Sequence, residues 1–320
     1  MSVRIACLLV SFLAYPVVAH GYPDKPIRIV VGFPPGGGAD VVARLIAQKL
    51  QETWGQTVVV DNRPGAGGNL GTEIVAKSNP GGYTLLLTSP GPVAINPSLM
   101  PNLPYNPRKD LAPITLVEFA PNVLVVPPAS PAIGVKELIA LARTGTNRLN
   151  YGSSGPGSTP HLSAELFKMM AKVDMVHVAF KGAGPAVVDL VAGRLDLMIV
   201  NVGAVVSQVQ AQRLRALAVS SLKRSSVLPD VPTLNESGLP GYEAGVWWGL
   251  LAPAGTPPAI IDKLHQTVVG ALRTSETRSR LISAEGAEVV GNTPKELADF
   301  IQNETIKWAG VIKAGGIKLD

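Results

Sequence analysis

Cysteine is all but missing from this 320-residue chain, and the single one, Cys7, stands near the N-terminus. Once that segment is read as a leader, the remainder holds none, which excludes disulfides and thiol chemistry. Aromatic residues make up 5% and charged residues 16%, with 28 Lys and Arg against 23 Asp and Glu. No basic run is longer than Lys223-Arg224, so nucleic-acid binding has no electrostatic footprint. The histidines His20, His161, His177 and His265 are isolated in the sequence, and no H-E-x-x-H spacing occurs. Zinc chemistry is excluded on that pattern, and each histidine reads as structural or solvent-facing. No G-x-S-x-G elbow is present, since Gly152-Ser153-Ser154-Gly155 has the wrong spacing. Asp40, Asp61, Asp189 and Asp196 show no spacing that singles out an acid-base pair. Neither a metal nor a cofactor is implied, and the chain reads as a non-enzyme.

Long apolar runs are missing too, apart from Ile5 to Val18, which follows Arg4 and ends in Val17-Val18-Ala19. Residues 1–19 read as a secretory signal peptide, too short and poorly flanked for a membrane span. The mature protein is expected to be exported, with 27 basic residues against 23 acidic ones once Arg4 is removed. At 46% hydrophobic, roughly 300 residues can bury two cores.

What is present is glycine in particular places. Ile27 to Val31 is a near-continuous apolar run suited to a strand buried on both faces. Phe33-Pro34-Pro35-Gly36-Gly37-Gly38 breaks it, and Val41, Val42, Leu45, Ile46 and Leu50 then recur with helical spacing from about Ala39. A strand that passes through a glycine loop into a helix N-terminus presents unpaired N–H groups and about half a positive charge to a cleft, a place for an anion. Asp40 in the first turn reads as a residue that complements the helix dipole. No Lys-Ser/Thr pair follows, which argues against a P-loop. A dinucleotide site is a competing reading, since Asp61 follows the strand Thr57–Val60 where a ribose-binding carboxylate falls. Against it, Val41 stands where the third glycine belongs. An ordinary tight turn is the third reading.

The same grammar recurs. Thr57–Val60 enters Asn62-Arg63-Pro64-Gly65-Ala66-Gly67-Gly68, which reads as a second cleft wall or a solvent-facing linker. A short helix is expected around Thr72–Lys77, and Tyr83–Thr88 is a strand ending at Ser89-Pro90-Gly91-Pro92. Asn122–Val126, closed by Pro127-Pro128, marks the first passage between two lobes. Beyond it come a helix over Val135–Arg143, a strand at Leu149–Tyr151, and the loop Gly152-Ser153-Ser154-Gly155-Pro156-Gly157-Ser158-Thr159. That loop leads into a helix from Pro160 to about Lys172 with Thr159 as N-cap. Met175–Phe180 is a strand running into Lys181-Gly182, and Pro185 opens a helix to about Ala192. Arg194–Val200 is a strand ending at Asn201, Leu214–Ser220 closes the lobe, and Ser225–Tyr242 is a return connection. Trp247–Pro253 is a strand belonging to the first lobe. A helix follows Thr256-Pro257-Pro258, and Thr293-Pro294-Lys295-Glu296 is a capping box before the last helix. The organisation expected is a signal peptide over 1–19, a first lobe over 20–121, a second over 122–226 and the first lobe again over 227–320.

Several of these segments together resemble a known family. Tyr22-Pro23-Asp24-Lys25-Pro26-Ile27-Arg28, the loop Phe33 to Asp40, Asn62 to Gly68 and Pro80-Gly81-Gly82-Tyr83 are similar to the Bug-type receptors of tripartite tricarboxylate transporters. So are Tyr151 to Gly155, Phe180-Lys181-Gly182, Gly193-Arg194-Leu195-Asp196 and Pro229-Asp230-Val231-Pro232-Thr233. Gly81 departs from the acidic residue usual there. The resemblance implies an α/β periplasmic binding protein of the type II arrangement, each of its two lobes a mostly parallel sheet flanked by helices. Such a receptor closes over a small carboxylate and passes it to membrane permease subunits. A sensor kinase is a further partner the same site would serve, and the chain is expected to be a monomer. Carried over residue by residue, the ligand-binding set is Phe33, Pro35, Gly36, Gly37, Gly38 and Asp40 with Ser153, Ser154, Gly157, Ser158 and Thr159. Asn62, Ala66, Ser89, Ala179, Lys181, Asn201 and Trp248 form the outer walls. The alternative is an exported α/β enzyme with a dinucleotide-like ligand at Gly36–Gly38. Dicarboxylates, tricarboxylates, acidic amino acids and aromatic acids all remain compatible with the pattern.

Overall fold

A computed structural model describes residues 21–144 and 148–318. The leader expected over 1–19, together with Cys7 and His20, lies outside the described residues. The first parallel unit consists of β1 (Ile27–Val31), α1 (Gly38–Trp54), β2 (Val58–Asn62), α2 (Asn69–Ala76) and β3 (Thr84–Thr88). β1 lies between β2 and β3, parallel to both. Its alternate residues feed different cores: Ile27, Ile29 and Val31 pack with Val42, Leu45, Ile46 and Leu50 of α1, while Val30 packs with Leu86 on the opposite face. That is why its apolar run is nearly unbroken. α1 stops at Gly55, whose φ of 67° places it in the left-handed region that closes a helix. After β3 come a helical turn at Gly91–Ile95, α3 (Asn96–Leu99) and α4 (Pro107–Asp110).

β4 (Leu111–Val126) is the strand that joins the halves. From Leu111 to Pro121 it pairs antiparallel with β9 (Gly245–Pro253). From Asn122 to Val126 it pairs antiparallel with β7 (Leu197–Asn201) and β8 (Arg215–Val219). The sequence reading began this strand only at Asn122. Two prolines lie upstream, and the sheet accommodates both: Pro113 sits where the register with β9 slips, and Pro121 ends that pairing.

The second half follows α5 (Val135–Arg143) and repeats the parallel pattern. β5 (Leu149–Ser153) lies between β6 (Met175–Ala179) and β7, connected by α6 (Thr159–Ala171) and α7 (Ala183–Val191). α8 (Val202–Gln210) then leads to β8. The continuous strand order is β2-β1-β3-β9-β4-β7-β5-β6. Each end of the sheet is therefore a parallel triplet, and β9 and β4 at the seam are antiparallel. The fold is a two-lobed α/β architecture of the periplasmic-binding-protein type.

α9 (Pro258–Leu272), α10 (Ser275–Glu285), β10 (Glu288–Val289) and α11 (Pro294–Gly315) complete the chain. β10 pairs with β4, and α11 begins with the reciprocal Thr293–Glu296 capping box. Two further expectations need correction. The N-cap of α6 is Ser158 rather than Thr159, because the Ser158 hydroxyl accepts the His161 N–H. α7 opens at Ala183, ahead of Pro185, since proline is tolerated throughout a first helical turn. α8 and α10 were not anticipated: α8 follows its strand without a loop, and α10 has too few apolar residues to show a stripe. Among the described residues no helix is long and apolar enough to cross a membrane.

Candidate functional site

Parallel strands linked by crossover helices put all their carboxyl ends at one edge, and ligands of open α/β sheets bind there. In this molecule the carboxyl ends of β1, β2 and β3 carry Phe33, Ala66–Gly67 and Ser89. Those of β5 and β7 carry Ser154–Thr159 and Asn201. Two adjoining hollows, of about 690 Å3 and about 430 Å3, bring these together. Phe33, Ser89 and Thr159 border both. The larger adds Ala66, Gly67, Ser154, Pro156, Gly157, Ser158 and Pro160, and the smaller adds Asn201, Gly203, Val246 and Trp248. None of the lining residues is charged.

What the cleft offers instead is hydroxyls and helix beginnings. α6 starts at its wall, with Ser158 accepting the His161 N–H at 3.4 Å and donating to the Gly155 carbonyl at 2.6 Å. α8 starts there as well, capped by Asn201, whose Oδ1 accepts the Gly203 N–H at 2.8 Å. The opposite wall is apolar where Phe33 meets Trp248 edge to face, ring centroids 5.6 Å apart. An anion with an apolar body suits such a surface.

Of the residues expected to bind, Phe33, Ala66, Ser89, Ser154, Gly157, Ser158, Thr159, Asn201 and Trp248 line the hollows. Pro35, Gly36, Gly37 and Gly38 sit at the surface of the neighbouring turn without lining either. The Gly36 N–H is already taken by Asp40 Oδ2 at 3.0 Å, which also receives Arg44 Nε at 2.9 Å. Asp40 is buried, and those two donors, Arg44 foremost, hold its carboxyl below the ordinary range. Asp40 therefore braces the glycine turn and lines neither hollow. Asn62 acts similarly, its amide donating to the Phe33 carbonyl at 3.1 Å. Ser153 is fully buried, its Oγ 2.6 Å from His177 Nε2. Ala179 and Lys181 are exposed at the end of β6 and line neither hollow. Asp61, the carboxylate a dinucleotide would need, is engaged by Arg63 at 2.9 Å and Arg28 at 3.4 Å.

Sequence reasoning missed the wall built by Gly91, Ile95, Asn96, Leu99 and Met100. The signal was available: Ser89-Pro90-Gly91-Pro92 is the third strand-to-helix turn of the first half, with proline in its first turn. Asn96 is fixed there through Nδ2 to Asn69 Oδ1 at 2.7 Å, an oxygen that also accepts the Tyr105 hydroxyl at 2.8 Å.

Two of the histidines read as isolated meet in the fold. His161 and His177 stack with centroids 3.9 Å apart and planes 7° apart. Burial, and then the neighbouring His177, push His161 from its ordinary value of 6.5 down to about 4, and burial also lowers His177. Both are therefore held neutral in the folded state. The His161 contribution is complete above about pH 6.5 and is lost as pH falls toward about 4, where the unfolded chain binds protons that the native one refuses, and His177 acts in the same direction. The melting temperature should fall across that window. His161→Asn should flatten the fall, and an identical curve for that variant would contradict the assignment.

The strand order, the cleft at the strand ends and its uncharged lining define a two-lobed solute receptor. The profile described as "Tripartite tricarboxylate transporter family receptor" matches residues 42–317, and the chain belongs to this family. It is similar to the protein BugT of Bordetella pertussis, 42% identical over 308 residues that span 96% of this chain and 94% of the relative. An R. palustris protein solved with adipate is 38% identical with a TM-score of 0.78, over 93% of this chain and 99% of that one. MatC from Rhodopseudomonas palustris, solved with bound malate, is 36% identical with a TM-score of 0.73, over 91% of this chain and 100% of that one.

Proposed function

We propose that this protein is a periplasmic receptor, without catalytic activity, that holds a small carboxylate between its lobes and delivers it to the permease subunits of a tripartite tricarboxylate-type transporter. The observation that carries this reading is the uncharged cleft to which both halves contribute, Phe33 and Ser89 on one side, Ser154, Thr159 and Asn201 on the other. Family membership supports delivery to a transporter, and the adipate and malate held by the two similar proteins support a carboxylate. The lobes are taken as 20–121 with 227–320, and 122–226; the change of sheet within β4 at Asn122 agrees with the first passage. Export by a signal peptide over 1–19, action as a monomer and service to a sensor kinase belong to the same proposal.

In this reading the carboxylate takes hydrogen bonds from hydroxyls and from N–H groups at the starts of α6 and α8. A ligand that contacts both halves favours their closed arrangement by its difference in affinity for open and closed forms. A thermal-shift screen of dicarboxylates, tricarboxylates, acidic amino acids and aromatic acids tests it. At about 100 times its dissociation constant, a ligand should add about 2.7 kcal/mol of stability. Ser154→Ala and Thr159→Ala should each weaken the responding acid by about 3- to 10-fold, the loss of one hydrogen bond. If no acid in the panel moves the melting temperature, the reading fails.

A further inference from the structure

Directly beneath the second-half wall of the cleft lies a cluster that lines neither hollow. β5 and β6 are in register at Tyr151 and His177, and α6 returns over the same face to lay His161 on the pair. Tyr151 and His177 are near-parallel with centroids 5.0 Å apart, and His161 follows at 3.9 Å. Each imidazole reaches the loop above it. The Gly157 N–H donates to His161 Nδ1 at 3.0 Å. Ser153 Oγ, 2.6 Å from His177 Nε2, also accepts the Gly155 N–H at 3.1 Å. The backbone of the Gly/Ser loop is thus seated on two rings.

The groups facing these rings are few. From β5 comes the Tyr151 hydroxyl, which donates to Glu165 Oε1 at 2.5 Å. From α6 come Glu165 itself and Lys168, whose Nζ donates to the same oxygen at 2.8 Å. Asp174, ahead of β6, stands behind Lys168 at 4.0 Å, and Gly315 at the end of α11 lies close to Glu165. Glu165 Oε1 already serves two donors.

We propose that the stacked His161–His177 pair is the positioning device of the cleft loop, and that protonation of the pair loosens the loop and releases the bound anion. This rests on the reading that the loop holds a carboxylate. The chemistry is direct. A ring nitrogen that accepts the Gly157 N–H has no room for a proton, and a protonated Nδ1 would set donor against donor. Two imidazolium rings at stacking distance also repel, so the rings must part and the loop loses its seat. The depression of both histidines by burial keeps the loop seated near neutral pH.

Hydrogen exchange on the ligand-free protein tests this without any ligand. Corrected for intrinsic rates, amides of the 153–161 segment should exchange about tenfold faster at about pH 4.5 than at about pH 7, the loss of one to two hydrogen bonds. His161→Asn keeps an acceptor oxygen near the Nδ1 position and does not titrate, so its loop should stay protected at both pH values. His161→Phe keeps a ring without an acceptor and should be loosened at both. With adipate and malate as probes, the affinity ratio of wild type to His161→Asn should fall about tenfold over the same range, since the probe's own protonation cancels in the ratio. Loop exchange that ignores pH, a His161→Asn curve identical to wild type, or tighter wild-type binding in acid would each overturn the proposal. If neither probe binds, the receptor reading needs another acid, while the exchange result still decides the role of the histidines.

Discussion

Replacing Glu304 by alanine should cost about 3 to 5 kcal/mol of stability, the scale of breaking a buried ion pair from one side. Glu304 lies almost wholly buried on α11. Its Oε2 accepts Trp247 Nε1 at 3.0 Å and Trp308 Nε1 at 2.9 Å, and Lys307 is ion-paired to its Oε1. Both tryptophans are fully buried. Alanine would leave two indole N–H groups with no acceptor, at about 1 to 3 kcal/mol each, and strand Lys307 beside a cavity. Glu304→Gln keeps the volume and one acceptor oxygen and should cost only about 1 to 2 kcal/mol. Urea unfolding of the two variants separates these terms, and equal midpoints would show that the volume and acceptor oxygen kept by glutamine contribute nothing, so that the carboxylate charge carries the whole effect. Ligand affinity should change far less than stability. Along β9 successive side chains alternate, so Trp247 packs on Phe300 toward α11 while the next residue, Trp248, turns to Phe33 and the cleft.

That alternation shows what could be read in advance and what could not. Trp247-Trp248 was legible as part of a strand, because a buried run after a Pro/Gly-rich return has few other places to go, while Trp248 as a wall of the site came only from the resemblance to the receptor family. The Glu304 partnership was not, since it joins residues 57 apart through the packing of α11 on β9. The apolar strands and glycine turns of β1, β5 and β6 could be assigned because period and punctuation are local. The length of β4 could not, because its prolines are tolerated only by a register slip and a change of sheet that the partner strands provide. At the site the same division holds. Ser154, Ser158 and Thr159 followed from a loop that opens a helix. The withdrawal of Ser153, Asp40 and Asn62 into bracing roles depended on His177, Arg44 and the Phe33 carbonyl, groups brought near by folding. Spacing cannot show that a donor is already occupied.

Gly32→Ala should destabilise the protein by about 2 to 4 kcal/mol, the upper part of the range for overpacking, and weaken ligand binding about tenfold or more. Gly32 follows β1, and a Cβ there would lie 2.7 Å from both Cα and O of Gly68. A second close approach lies beside it, since a Cβ on Gly71 would lie 2.8 Å from Gly32 Cα. These are backbone atoms, so no rotamer can yield. The strand end and the 65–68 turn must part, and they carry Phe33 and Ala66–Gly67 on the cleft wall. Gly68 is itself closely bounded, since Pro92 Cγ would lie 2.8 Å from a Cβ placed there, and its φ of 98° is in the left-handed region that favours glycine. Gly37, in the middle of the glycine run, is the control: its φ is −84°, and the nearest atom to an added Cβ is 3.8 Å away. Gly37→Ala should cost less than about 1 kcal/mol, mostly through its N-cap position. Urea unfolding with calorimetric titration of whichever acid stabilises the wild type decides between them. If Gly32→Ala binds and unfolds like wild type while Gly37→Ala does not, the glycine run itself forms the site, and the close approach behind it does not.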